Sequence, residues 1–274
     1  MTVHGHTLDL WGGVAEIWTT ADLAAAVEIV TGVIDEVDAA CSTYRPDSQI
    51  TSLNQYAGHW TDVGPTLWHA TRAALWAARA TDGLTDPMAQ TPGDGGWRAI
   101  ALDERTRAIR LPEGGELDLG ATAKAWCADV AARRAHRRTG YPVLVNLLGD
   151  IATAGPPPGD GWHIQVVEDH RKADPEGQDA QGSAICIESG GVATSSRHGT
   201  RGRDHVIDPL SGTHARGRYR TASVAAASCT EANAASTATL VRAQGARAWL
   251  ERRRLPSRLV DDAGQVSLTA GWPR

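Results

Sequence analysis

The segment Leu117-Asp118-Leu119-Gly120-Ala121-Thr122-Ala123-Lys124-Ala125-Trp126-Cys127-Ala128-Asp129 constrains this chain most. Its apolar start reads as a short strand, Gly120 as a turn, and the alanine-rich remainder as a helix with a lysine in its first turn. Lysine is scarce here: Lys124 and Lys172 are the only two, so 25 of the 27 basic residues are arginines. A compact ammonium beside the free N–H groups of a helix start suits a phosphate. Taken alone, Lys124 reads as a surface lysine at a helix start. The segment is not a Walker A loop, because no glycine precedes the lysine and no Ser or Thr follows it.

The 274 residues are 42% apolar and 22% charged, enough for a substantial core. A net charge of −5 argues against a nucleic-acid footprint and a polybasic membrane surface. The basic run Arg133–Arg138 and the triplet Arg252–Arg254 read as cations at helix C-termini facing water. The cysteines Cys41, Cys127, Cys186 and Cys229 lack zinc-site spacing; the sequence leaves two disulfides open, and four buried free thiols are expected instead. Met1–Gly13 has no basic run followed by an apolar stretch, and no segment is long enough to span a bilayer. No membrane insertion and a cytoplasmic location are expected.

Periodicity predicts a strand at Val14–Thr19, then a helix of about 20 residues capped by Thr20, with Leu23, Ala26, Val27, Val30, Ile34 and Val37 as its stripe. A turn at Tyr44–Ser48 leads into a helical turn bearing Ile50 and Leu53. Pro65 and Gly83 bracket another helix. Strands are expected at Trp97–Leu102, Ala108–Leu111, Pro142–Leu147, Gly161–Glu168, Ser183–Ile187 and Thr221–Ala227. Arg171–Gln181 reads as a surface loop. Helices are expected at Glu231–Arg242 and Gly245–Arg254, and a hairpin around Asp261–Gly264. The elements interleave without a regular βαβ rhythm, so the fold class is α+β, a single mixed domain over 1–274.

Two further stretches carry chemistry. Gly190-Gly191-Val192-Ala193-Thr194-Ser195-Ser196 combines glycines that permit close backbone approach to a ligand with three hydroxyls. It is followed by His205 and the turn Asp208-Pro209-Leu210-Ser211-Gly212. In Cys229-Thr230-Glu231-Ala232-Asn233-Ala234-Ala235-Ser236-Thr237, Ser228 or Thr230 is a suitable N-cap. Asn233 and Thr237 share a helix face with Ser236 beside them. Three short oxygen-bearing side chains could ligate Mg²⁺, or simply pack against a neighbouring element.

These pieces, in this order, resemble the ApbE family, the FAD:protein FMN transferases. Further matches are Ser42–Ile50 with Leu53-Asn54, Thr81–Pro87 and Val143–Ile151; only residues 1–13 match poorly. The resemblance implies an α+β fold built around a flavin site. It implies FAD binding by Tyr44, Leu84, Thr85, Asp86, Asp118, Lys124, Thr194 and Ser195. It further implies Mg²⁺ held by the main chain of Ala121 with Asn233, Ser236 and Thr237, and His205 as the base. The implied reaction splits the FAD pyrophosphate, joins FMN to a Ser or Thr of an acceptor flavoprotein and releases AMP. The chain departs from the family pattern where Asn233 replaces an aspartate, Leu148 a glycine and Ala125 a glycine, and where Leu10–Gly13 stands in place of a Met-Gly-Thr entry. An FAD-binding protein without transferase activity and an FAD pyrophosphatase are the alternatives.

Overall fold

The computed structural model describes residues 2–91, 95–167, 182–197, 206–242 and 244–272. The loop at 171–181 and His205 lie outside the described residues.

The chain opens with β1 (His4–Leu10) and β2 (Gly13–Thr19), a hairpin whose first strand periodicity did not predict because it is largely exposed and its first four residues carry no apolar side chain. Helix α1 (Leu23–Cys41) follows. Thr20 is not its cap: Asp22 holds that place with φ 51° and no capping side-chain bond, while the Thr19 hydroxyl donates to the Ala21 carbonyl. Then come α2 (Gln49–Gln55), β3 (Thr61–Asp62) and α3 (Pro65–Ala80), with Pro65 at the helix start as expected. Gly83, φ 86°, donates its N–H back to the Ala78 carbonyl and ends the helix.

The strand expected at Trp97–Leu102 is instead a 3₁₀ turn at Gly96–Ala99 followed by β4 (Ala101–Asp103). Gly95 and Gly96 both take positive φ, and Asp86 accepts from the Trp97 N–H, so the local backbone curls. After β5 (Ala108–Arg110) comes Leu117–Leu119, where the expected strand does not form a ladder. The Asn54 side chain takes the place of a strand partner. Its Nδ2 donates to the Leu117 carbonyl (3.0 Å) and its Oδ1 accepts from the Leu117 N–H (2.9 Å).

Helix α4 (Ala123–Thr139) carries Lys124 and ends at Gly140, φ 77°. Arg134 near its end pairs with Glu36 of α1 at 2.8 Å, while Arg133, Arg137 and Arg138 face solvent. The remaining elements are β6 (Val143–Leu147), β7 (Asp150–Ala154), β8 (Trp162–Val167), β9 (Gly182–Ile187), β10 (Gly191–Ser196), β11 (Ile207–Asp208), β12 (Thr213–His214), β13 (Tyr219–Ala226), α5 (Cys229–Val241), α6 (Ala246–Arg252), β14 (Ser257–Asp261) and β15 (Val266–Leu268). The predicted Asp-Pro-x-x-Gly turn joins β11 to β12, with the Gly212 N–H on the Asp208 carbonyl.

Eight strands form one sheet in the order β1-β2-β6-β7-β10-β13-β14-β15, every neighbouring pair antiparallel. This antiparallel sheet with helices makes the fold α+β. Its faces separate by alternation. Val143, Val145, Leu147, Ala152 and Ala193 join the core with α1, α3 and α4. Leu144, Ile151, Val192 and Ala225 point the other way, against Trp162, Ile164, Ile185 and Ile187 of the β8–β9 hairpin. Both faces are covered, which explains the nearly continuous apolar run Pro142–Leu147. A third cluster gathers β13, β14, α5 and α6 around Val224, Leu240, Trp249 and Leu250. Among the described residues no helix is long and apolar enough to cross a membrane. The four cysteines are free; Cys41, Cys127 and Cys229 are buried, but Cys186 is only half-buried, contrary to expectation.

Candidate functional site

Strands β6 and β7 are joined by the two residues Leu148 and Gly149, with φ 54° and 91°. Two positive φ values in a two-residue loop match the twist of a tight hairpin. Leu148 accepts this conformation despite its Cβ, and Asn146 supports the loop by accepting from the Gly149 N–H at 2.8 Å. The hairpin delivers Asp150 to the start of β7, at 1% exposure.

Three other elements meet Asp150. From the first turn of α4, Lys124 Nζ lies 3.1 Å from Asp150 Oδ2 and donates to the Leu148 carbonyl at 3.3 Å. The Lys124 side chain is 31% exposed, so it faces solvent on one side. From α5, Asn233 Nδ2 donates to Asp150 Oδ1 at 3.4 Å, long for such a bond. From β10, Ala193 pairs with Asp150 in the sheet, and Ser195 two residues on reaches α5. Ser195 Oγ lies 2.7 Å from Ser236 Oγ and 3.1 Å from Thr237 Oγ1. Ser236 also donates to the Asn233 carbonyl at 3.0 Å. Two buried oxygens in this group make no hydrogen bond among the described residues: Asn233 Oδ1 and Asp150 Oδ2. The latter therefore meets Lys124 as a charge pair without hydrogen-bond alignment.

The structure thus brings Lys124, Asn233, Ser195, Ser236 and Thr237 into one neighbourhood. Thr194 is not brought to it: strand alternation turns its side chain to the opposite sheet face from Ser195, where its hydroxyl pairs with Ser223 at 2.8 Å. The segment Leu84–Asp86 is tied to α5, because Thr85 donates to the Ala234 carbonyl at 3.0 Å. Leu84 packs toward the third apolar cluster, and Asp86 accepts from the N–H groups of Met88 and Trp97. Asp118 joins that segment through its N–H on the Pro87 carbonyl, while its carboxylate accepts from the Gly120 N–H at 2.7 Å. Ala121 is exposed in the turn before α4. Tyr44 stands apart at 97% exposure, in a turn braced by Arg45 with Asp38 and Asp47.

Gly190 and Gly191 act differently from the sequence reading. A Cβ on Gly191 would lie 2.5 Å from the Cys229 nitrogen and 2.6 Å from the Ile151 carbonyl oxygen. The close approach is to the chain's own backbone, which lets β10 run beneath the start of α5.

Sequence reasoning missed three organising side chains. Asp150 sat inside a matched stretch without a role. Asn54 sat in another, and nothing local shows that it pairs with Leu117. Asp129 is a buried carboxylate on α4 that accepts from the N–H groups of Cys229 (3.0 Å) and Thr230 (2.9 Å) and from the Thr230 hydroxyl (2.6 Å). Ser228 is the N-cap of α5, accepting from the Glu231 N–H at 3.1 Å. The available signal for Asp129 was one acid on the same helix face as Ala125, Ala128 and Ala132.

An ammonium, a buried carboxylate and a cluster of neutral oxygens thus meet where the start of α4 joins three other elements. The family model described as "ApbE family" matches residues 11–93 and 91–258. The chain belongs to the ApbE family. Solved structures agree on the fold. The ApbE protein of Thermotoga maritima superposes with a TM-score of 0.84 at 21% identity, covering 98% of this chain and 97% of that one. The flavin transferase ApbE of Vibrio cholerae gives 0.79 at 20% identity, covering 99% of both chains. The flavinyl transferase ApbE of Pseudomonas stutzeri gives 0.80 at 20% identity, covering 98% of this chain and 95% of that one. No curated protein sequence gives a significant match.

Proposed function

We propose that this protein is a Mg²⁺-dependent FAD:protein FMN transferase. It would split the FAD pyrophosphate, join FMN by a phosphoester bond to a Ser or Thr of an acceptor flavoprotein, and release AMP. The observation that carries this reading is the junction of the Lys124 ammonium with the unpartnered Asn233 amide oxygen around Asp150, within an ApbE fold.

The metal is tested by the donor atoms present. Among the described residues no three His, Cys, Asp or Glu side chains form a metal cluster. The donors on offer are hard oxygens: the Ser236 and Thr237 hydroxyls within reach of Ser195, and on the same helix a buried Asn233 amide oxygen in want of a partner. That suits Mg²⁺, which takes oxygen ligands and keeps part of its shell for water and phosphate. Asn233, Thr237, Ser236 and the Ala121 carbonyl would hold it; Ser236, whose hydroxyl is shared between Ser195 and the Asn233 carbonyl, would also fix the helix face. When bound, Mg²⁺ supplies positive charge to the pyrophosphate oxygens.

The chain's own residues do the rest. Lys124 neutralises phosphate charge from the α4 start, where free backbone N–H groups add to it. Asp118, Leu84–Asp86 and Ser195 border the dinucleotide, Thr194 contributes its backbone alone, and Tyr44 meets the dinucleotide from its exposed turn. His205 takes the proton of the acceptor hydroxyl, a role that rests on the family pattern. Aligning that hydroxyl with phosphorus supplies the positioning on which phosphoryl transfer depends. The chain acts as one unit throughout, and its four free thiols suit a reducing compartment, so we place it in the cytoplasm.

The test is incubation with FAD, Mg²⁺ and candidate acceptors, followed by nucleotide chromatography and intact-protein mass. AMP together with an FMN adduct on Ser or Thr is the expected result. AMP with free FMN identifies a pyrophosphatase; yellow protein with neither product identifies a flavin binder.

A further inference from the structure

The orientation of Asn233 needs a cause. Its amide oxygen is buried without a hydrogen bond among the described residues, while its nitrogen makes only a long contact, 3.4 Å, to Asp150 Oδ1. The terminal torsion of asparagine is broad and roughly two-fold, so a half-turn exchanges oxygen and nitrogen easily. At this position the half-turn would set the amide oxygen against a carboxylate, which accepts hydrogen bonds and cannot donate one. Asp150 therefore dictates which end of Asn233 faces away from it. The same carboxylate lies 3.1 Å from Lys124 Nζ through its other oxygen, at 1% exposure.

We propose that Asp150 is the positioning residue of this site. It aims the Asn233 amide oxygen at the cation and holds Lys124 beside it, so that a neutral side chain at 233 serves as ligand while the negative charge sits behind it. The inference rests on the metal reading given above and deepens it. It also accounts for a neutral residue at 233. A second carboxylate there would face Asp150 across the same gap with only Lys124 to balance both, and like charges at that distance oppose one another. With asparagine, one carboxylate meets one ammonium before any cation arrives.

The experiment uses full-length protein freed of metal by a chelator, with Mg²⁺ titrated by calorimetry and stability followed by thermal melting. Asp150→Asn is expected to weaken Mg²⁺ binding by roughly tenfold or more, as loss of a residue orienting a ligand does. Asn233→Asp is expected to melt below the wild type without metal and to recover when Mg²⁺ is added. The double variant Asp150→Asn/Asn233→Asp, with one carboxylate again, is expected to melt above Asn233→Asp in the absence of metal. Folded Asp150→Asn with unchanged Mg²⁺ affinity overturns the proposal, as does Asn233→Asp melting at the wild-type temperature without metal. If Asp150→Asn does not fold, the Asn233→Asp melt decides alone. Asn233→Ala separates the two levels. Unchanged Mg²⁺ binding in that variant removes the metal reading itself, whereas lost binding there with binding retained in Asp150→Asn removes only the positioning role.

Discussion

Asp129 on α4 and Thr230 at the start of α5 are joined twice, through the Thr230 N–H at 2.9 Å and its hydroxyl at 2.6 Å, both onto Asp129 Oδ2. The other carboxylate oxygen takes the Cys229 N–H. An anion at a helix N-terminus meets both the unpaired N–H groups and the positive end of the helix dipole. Since α4 carries Lys124 and α5 carries Asn233, this joint also sets the spacing of the site.

Asp129→Ala should therefore destabilise the protein by about 3 kcal/mol, because it strands buried donors that had a charged acceptor. Urea denaturation monitored by circular dichroism measures it. The same variant should bind FAD more weakly, read by fluorescence quenching. Unaltered stability would show that the joint is not holding the two helices.

Asn54 replaces a missing strand partner for Leu117, and its loss should be felt locally. Asn54→Ala should cost about 1–2 kcal/mol, the scale of a buried backbone group left without its partner. Hydrogen exchange at the amides of Leu117 and its neighbours should accelerate while the β6 and β7 amides stay protected. Protection unchanged at Leu117 would contradict this reading.

Lys124 is one of two lysines in a chain that otherwise uses arginine. Its ammonium contacts Asp150 and the Leu148 carbonyl from one point. Arginine presents a planar fork and a larger head, so Lys124→Arg should not substitute. We expect FAD affinity to fall by roughly tenfold or more in both Lys124→Arg and Lys124→Met, in line with loss of a charge-assisted contact of about 1.5–3 kcal/mol. Equilibrium dialysis with FAD checks both; wild-type affinity in Lys124→Arg would mean that charge alone suffices.

Burial, with Asp38 nearby, pushes the Cys41 thiol up to about 12 from 9.0, and burial likewise raises Cys127 and Cys229. Above pH 9 the unfolded chain releases these protons while the folded chain keeps them. Folded protein then binds more protons than unfolded, so stability is intact below pH 9 and falls as pH rises toward 12. Each such thiol contributes a slope of up to about 1.4 kcal/mol per pH unit in that window. Denaturation of wild type and Cys41→Ala between pH 8 and 11 checks it: the variant should show a shallower decline, and parallel declines would refute the assignment.

The long helices and the site's vocabulary were readable from sequence. The stripe of α1, the Pro65 start of α3, the helix start bearing Lys124 and the small polar face of α5 are all local patterns, set by periodicity and by end chemistry within a few residues. The hairpin β14–β15 and the turn at Asp208–Gly212 follow in the same way from turn residues. Only the tertiary structure decided which distant side chains complete these pieces. Leu117–Leu119 has a strand's composition but takes its hydrogen bonds from Asn54, so no ladder forms. Trp97 curls because Asp86 binds its N–H, and Gly191 is needed for the passage of β10 against Ile151 and Cys229. Asp150 and Asp129 gain their meaning from partners on other elements, Lys124 and Asn233 for one, Cys229 and Thr230 for the other. A carboxylate's local sequence sets its charge; burial and the donors that the fold brings to it decide what that charge does.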